Sequence, residues 1–98
     1  LTNIAKAILD DVALRMKQEP TATALVIGYT DTRENTGPNA DLDRRRAQAV
    51  RDYLVSRHNI DPSRITVEGR NAREPVCTAD TAECRLRNRR VVIRLTLP

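Results

Sequence analysis

The 98-residue sequence has no phenylalanine and no tryptophan, and only two tyrosines, three glycines, two cysteines and one histidine. Without aromatic bulk, the core has to be filled by Leu, Ile, Val and Ala, and a stacking platform for nucleic-acid bases is excluded. None of the glycines belongs to a phosphate-cradling loop, and neither Ser56 nor Ser63 sits in an elbow motif. His58 stands alone, with no nucleophile set up beside it. Asp41 and Asp43 read as first-turn partners of a helix dipole rather than as a catalytic dyad, so no enzymatic activity and no cofactor are expected. No apolar run approaches the roughly 20 residues that a membrane span needs. No basic and apolar signal pattern follows Leu1, so any address or anchor is expected outside these residues.

What is present is ordinary for a globular domain: 40% hydrophobic and 31% charged residues. A chain of this length builds one core and hides roughly 65% of its unfolded surface. Lys and Arg exceed Asp and Glu by 17 − 13, a net charge of +4 that invites an acidic partner, although opposite signs are interspersed along the chain. Cys77 and Cys84 have no His or second cysteine pair nearby, so a local zinc site is not available. A short disulfide loop fits them better and would stabilise the fold by about 2.5 kcal/mol on the chain-entropy account, pointing to an oxidising compartment. Two free thiols in a cytosolic loop are the alternative.

Turn signals at Glu19-Pro20, Gly37-Pro38, Asp61-Pro62-Ser63, Gly69 and Glu74-Pro75 divide the chain into five segments. Ile4, Ile8, Val12 and Met16, with Ala5 and Leu9 beside them, predict an amphipathic helix over 2–18. Ala24 to Tyr29 reads as a strand covered on both faces. Asn39 is a good N-cap for a second helix running to about Arg57. Residues 64–68 and 89–97 alternate as strands, the last with Val91, Ile93, Leu95 and Leu97 on one parity. The predicted order is α-β-α-β-β.

One charge is out of place. At 100° per residue, Leu42, Ala49, Val50, Tyr53 and Leu54 form the buried stripe of the second helix, with Arg46 at its centre and Arg44, Arg45 and Arg51 pointing elsewhere. A guanidinium keeps its proton, so on such a stripe it must find an anion or snorkel outward. Asp31, at the carboxyl end of the preceding strand, is the candidate. Either the two bridge each other, or they form a receptor for a zwitterion, with Arg46 gripping a carboxylate and Asp31 an ammonium. Arg89 shares the inward parity of Val91, either as a rim residue or as a third charge of the same site. The Arg44-Arg45-Arg46 run allows a different reading, a basic α/β domain that binds nucleic acid, though the acidic neighbours dilute it.

Gly28-Tyr29-Thr30-Asp31 resembles the G-[HY]-T-D of OmpA-like, peptidoglycan-binding domains. Asn39-x-x-Leu42-x-x-x-Arg46-Ala47-x-x-Val50-x-x-x-Leu54 resembles their N-x-x-L-S-x-x-R-A-x-x-V-x-x-x-L helix, and Asn88-Arg89-Arg90-Val91 resembles their N-R-R-V strand. The resemblance covers nearly the whole chain. It implies a single domain over 1–98, an α/β two-layer sandwich of βαβαβ type with the helices on one face of a small mixed sheet and the first family strand absent. It also implies non-covalent binding of the diaminopimelate of peptidoglycan stem peptides in the periplasm, at the outer membrane of the Gram-negative envelope. Asp31 and Arg46 would be the binding pair, Asn39 and Leu42 would line the site, and Arg89 would add a contact. Two positions depart from the pattern: Glu34 stands where T-D-x-x-G has Gly, and Asp43 where the helix has Ser. The absent strand leaves a sheet edge at which a partner strand or a second copy is a further reading.

Overall fold

The computed structural model describes residues 1–34, 37 and 40–97. The elements run α1 (Asn3–Gln18), β1 (Thr23–Gly28), α2 (Leu42–His58), a 3₁₀ turn (Pro62–Arg64), β2 (Ile65–Gly69), α3 (Ala82–Asn88) and β3 (Val91–Thr96). Thr2 caps α1, its hydroxyl accepting from the Ala5 amide at 3.0 Å. Arg64 closes the other end. Its Nε donates to the Ala22 carbonyl at 2.9 Å and its Nη2 to the Met16 and Glu19 carbonyls at 2.7 and 2.9 Å, setting a fixed cation at the negative end of the helix.

The sheet order is β2-β1-β3. β1 and β2 are parallel, with Ala24 opposite Ile65, because the α2 crossover joins them; β3 returns antiparallel, with Val26 opposite Ile93. Ala24 and Val26 of β1 and Ile65 of β2 share one core with Leu9, Ala13 and Met16 of α1 and Ala47, Val50 and Leu54 of α2, and Val67, Val91, Ile93 and Leu95 pack against it. One parity of each strand therefore contributes to the core that the two long helices share, the two-layer α/β arrangement expected. On the other parity, Ile27 is fully buried between Val92 and Glu68 of its neighbours. The largest fully buried side chain is Tyr29, an exception to the all-aliphatic core.

Several expectations are corrected. On α1 the buried line is Leu9, Ala13 and Met16, whereas Ile4 and Ile8 are 77% and 58% exposed. Leu9 and Ala13 lie one residue round the helix from Ile8 and Val12, Met16 is common to both lines, and no residue before Leu9 is buried. On α2 the buried residues are Asp43, Ala47, Val50 and Leu54; Ala49 is exposed, Leu42 and Tyr53 are half-buried, and Arg46 flanks the stripe instead of lying at its centre. α2 starts at Leu42, and Asn39, expected to cap it, lies outside the described residues. His58 is not an isolated surface residue. Its Nε2 lies 2.6 Å from Asp10 Oδ1, and the same oxygen accepts from the Tyr53 hydroxyl at 2.7 Å, tying α2 to α1.

Asp43 is more than a dipole partner. It is buried, its Oδ2 accepts from the Asn71 amide at 2.9 Å and its Oδ1 from the Arg44 amide at 2.7 Å. Two glycines admit it: a Cβ on Gly28 would lie 1.8 Å from the Asp43 carbonyl oxygen, and a Cβ on Gly69 would lie 2.6 Å from its Oδ2. The first turn of α2 thus rests directly on β1 and β2, where any side chain would hold it off.

The segment before β3 carries a helix that the apolar pattern did not predict. Thr81 caps α3 by accepting from the Cys84 amide at 3.1 Å, and the helix stays short, from Ala82 to Asn88. Cys77 and Cys84 are joined in a disulfide, their Cα atoms 5.8 Å apart. Asn88 is buried beside it, its Oδ1 accepting from the Val76 amide at 2.8 Å and its Nδ2 donating to the Cys77 carbonyl at 3.1 Å.

Candidate functional site: a cluster of four charges at the end of β1

Beyond Gly28 the chain is held from both sides: the Tyr29 amide donates to the Arg90 carbonyl at 2.8 Å, and the Thr30 amide to the Asn71 carbonyl at 2.9 Å. This clamp places Asp31, which is 4% exposed, at the carboxyl end of β1 beside the start of α2. Such a strand end is where α/β folds bind ligands. Asp31 Oδ1 accepts from the Arg33 amide at 2.7 Å, an Asx turn that brings Glu34 back over the strand end. The Asp31 amide in turn donates to Glu34 Oε1 at 3.1 Å.

Arg46 comes from the second turn of α2. Its Nη1 donates to the Tyr29 carbonyl at 3.1 Å and to Glu34 Oε1 at 2.7 Å, and its Nη2 donates to Glu34 Oε2 at 2.5 Å. Arg89 follows α3, its Nε 3.4 Å from Asp31 Oδ2. Asp31 and Arg46 are therefore brought to one place, but they do not bridge each other: Arg46 is held by Glu34, and Asp31 faces Arg89. The turn decides this, because Glu34 presents two oxygens to a two-pronged donor. The Arg46 hydrogen bonds hold the Glu34 carboxyl below its ordinary range against the opposing effect of burial, and the same bonds raise Arg46.

Two cavities flank the cluster. One, of about 400 Å³, is lined by Thr30, Asp31 and Arg33 on one side and by Pro75, Asp80 and Asn88 on the other. Thr30 Oγ1 is buried and lacks a hydrogen-bond partner among the described residues. The second cavity, of about 270 Å³, is lined by Arg46, Arg89 and the apolar Ile8, Val50, Val91 and Ile93. Leu42 is half-buried at the first position of α2, and the expected wall residue Asn39 lies outside the described residues. Among the described residues no cluster of His, Cys, Asp and Glu could hold a metal ion.

The arginine run has no common face. Arg44 and Arg45 are exposed, with Arg45 on Asp41 at 3.0 Å, and Arg51 turns to the Ile65 and Pro62 carbonyls at 3.4 and 3.3 Å. The Asn88-Arg89-Arg90 run divides its work. Asn88 braces the disulfide loop, and Arg89 faces Asp31. Arg90 lies 3.8 Å over the Tyr29 ring and donates to the Glu74 carbonyl at 2.7 Å, helping to hold Tyr29 in the core. Glu34 is the site residue that sequence reasoning missed; its signal was a carboxylate standing where the T-D-x-x-G pattern has a glycine.

Comparison with known proteins agrees with this architecture. The chain is 40% identical over 90 residues to the outer membrane protein A of Bordetella avium, covering 92% of this chain but 46% of that protein, so it spans less than half of its relative's length. The cell wall anchor of the T6SS from Pseudomonas aeruginosa superposes with a TM-score of 0.78 at 34% identity, covering 99% of this chain and 68% of the other. The peptidoglycan-associated lipoprotein from Burkholderia pseudomallei superposes with a TM-score of 0.87 at 25% identity, covering 98% and 80%. Among the described residues no helix is long and apolar enough to cross a membrane. A model of the OmpA family matches residues 1–89, and the chain belongs to that family.

Proposed function

We propose that this domain binds peptidoglycan non-covalently, through the diaminopimelate of the stem peptide, and anchors the protein that carries it to the cell wall on the periplasmic side of the outer membrane. The observation that carries the reading is the charge cluster at the end of β1, where two guanidiniums and two carboxylates meet between two cavities. Diaminopimelate in a stem peptide offers an ammonium and a carboxylate on one free carbon. Asp31 accepts from the ammonium, Arg46 takes the carboxylate on both prongs of its fork, Arg89 adds a second cation, and Leu42 lines the wall. The domain acts by binding, with no catalytic step. The similarity to a cell wall anchor and to a peptidoglycan-associated lipoprotein supports the same reading. A nucleic-acid surface is not favoured, since Arg46 and Arg51 of α2 spend their donors on the protein itself.

The test is calorimetric titration with the tripeptide Ala-γ-Glu-diaminopimelate against the same peptide ending in lysine. The peptide form is needed because free lysine carries a zwitterionic carbon of its own. Lysine in the peptide lacks the carboxylate, but Glu34 keeps Arg46 paired when it binds, so the expected discrimination is the net value of a charged pair. That is about 1 to 2 kcal/mol, or roughly 5- to 30-fold. Asp31→Asn and Arg46→Lys should each lose most of the binding while retaining the melting curve. Equal binding of the two peptides, or both variants within about threefold of the parent, refutes the receptor.

A further inference from the structure

Arg46, the residue placed to grip a ligand carboxylate, already holds one. Both Glu34 oxygens occupy its fork at 2.7 and 2.5 Å, the arrangement in which an arginine takes any carboxylate. Asp31 is likewise engaged, by the Arg33 amide at Oδ1 and by Arg89 facing Oδ2. The four charges of the site thus cancel in two internal pairs. The two carboxylates differ in freedom. The Asp31 side chain is 5% exposed and clamped by the strand end, whereas the Glu34 side chain is 17% exposed and stands on a turn outside any helix or strand. Glu34 is the partner able to leave.

Resting on the peptidoglycan reading above, we infer that Glu34 is a built-in stand-in for the ligand carboxylate, holding Arg46 until the carboxylate of diaminopimelate displaces it. Two consequences follow from population arithmetic. A site whose competent state is only a fraction of the ensemble binds more weakly by that fraction, so Glu34 lowers the affinity for diaminopimelate. It also lowers selectivity, because a ligand without the carboxylate leaves the Glu34–Arg46 pair intact and leaves no donor unpaired. A role for Glu34 in holding the ligand ammonium is the opposite assignment. It runs against the geometry, in which both of its oxygens are turned to Arg46.

The experiment titrates the diaminopimelate tripeptide and its lysine counterpart into the parent, Glu34→Gln, Glu34→Ala and Arg46→Ala, each first checked by its melting curve. The inference expects Glu34→Gln and Glu34→Ala to bind the diaminopimelate peptide at least about threefold tighter than the parent. It expects the lysine peptide to bind less tightly to them or no better, so that selectivity widens, and Arg46→Ala to lose the preference altogether. If the parent binds through Arg46 but the Glu34 variants bind diaminopimelate no better, Glu34 is not a stand-in and only this inference falls. A loss of both peptides on removing Glu34 assigns it to the ammonium and overturns it equally. If no form binds either peptide, the peptidoglycan reading falls with it. Failure of both Glu34 variants to fold shows the pair to be a structural bridge, which also overturns the inference.

Discussion

Gly28→Ala tests how the site is mounted. A Cβ at this position would lie 1.8 Å from the Asp43 carbonyl oxygen, 2.8 Å from its carbonyl carbon and 3.2 Å from the Ala47 amide nitrogen, all backbone atoms of α2. Against roughly 3.5 Å for an ordinary non-bonded contact, the first turn of the helix would have to retreat by about 1.7 Å. Overpacking in a core typically costs 1–3 kcal/mol, and a clash with helix backbone belongs at or above the top of that range. The 0.5–1 kcal/mol that Ala regains over Gly in backbone entropy does not offset it. The expected loss is about 3 kcal/mol, or roughly 12 to 24 °C in melting temperature for a domain of this length. Gly69→Ala is the internal control, because the three atoms nearest its Cβ all belong to the Asp43 carboxylate, at 2.6 to 3.0 Å, and none to helix backbone. In an Asp43→Ala background, Gly69→Ala should lose most of its cost while Gly28→Ala keeps its own. Urea denaturation followed by circular dichroism measures the three single variants and the two double variants. A Gly28→Ala variant within about 0.5 kcal/mol of the parent, or one that Asp43→Ala rescues as fully as it rescues Gly69→Ala, would show that the backbone of α2 does not need the missing Cβ at Gly28.

Two further predictions concern the framework. Arg64→Ala removes the guanidinium that bonds the Met16, Glu19 and Ala22 carbonyls, and should cost about 2 kcal/mol in urea denaturation; a change below about 0.5 kcal/mol would show that water replaces the cap without loss. Asp10 is held below its ordinary value of 3.8 chiefly by the Tyr53 hydroxyl and then by His58. A depressed carboxyl contributes stability that is complete above its unfolded value and is lost as pH falls through its folded one. Asp10→Asn should therefore be less sensitive than the parent to acidification below about pH 4; an unchanged acid limb in thermal melts would contradict this.

What was legible in the sequence was periodicity and anomaly. The period-2 alternation of Val91, Ile93 and Leu95, the apolar run through Ile27 and the second long helix, expected to about Arg57 and ending at His58, are all found. Rotation was less legible. Apolar spacing shows that a helix has a buried side, but a shift of one residue, 100°, separates Ile8 on the surface from Leu9 in the core, and only the packing partner decides between them. α3 was illegible for a different reason. At seven residues it is too short to display a stripe, and it rests on a Thr81 cap, a disulfide and the Asn88 bonds rather than on an apolar face.

The site divides along the same line. That Arg46 had either to find an anion or to snorkel outward followed from residue chemistry, because a guanidinium on a core stripe cannot shed its charge. Which anion it took did not follow, because that depends on where a three-residue turn carries a side chain. Asp31 was nearer in pattern, but its Oδ1 is committed to closing the turn on the Arg33 amide, and closing that turn is what delivers Glu34 to Arg46. The two acids are thus consequences of each other: the one that shapes the turn stays buried at the strand end, and the one the turn carries occupies the arginine. On the proposed reading, a ligand carboxylate reaches the Arg46 fork only by exchange with Glu34, whose two oxygens occupy it in the structure.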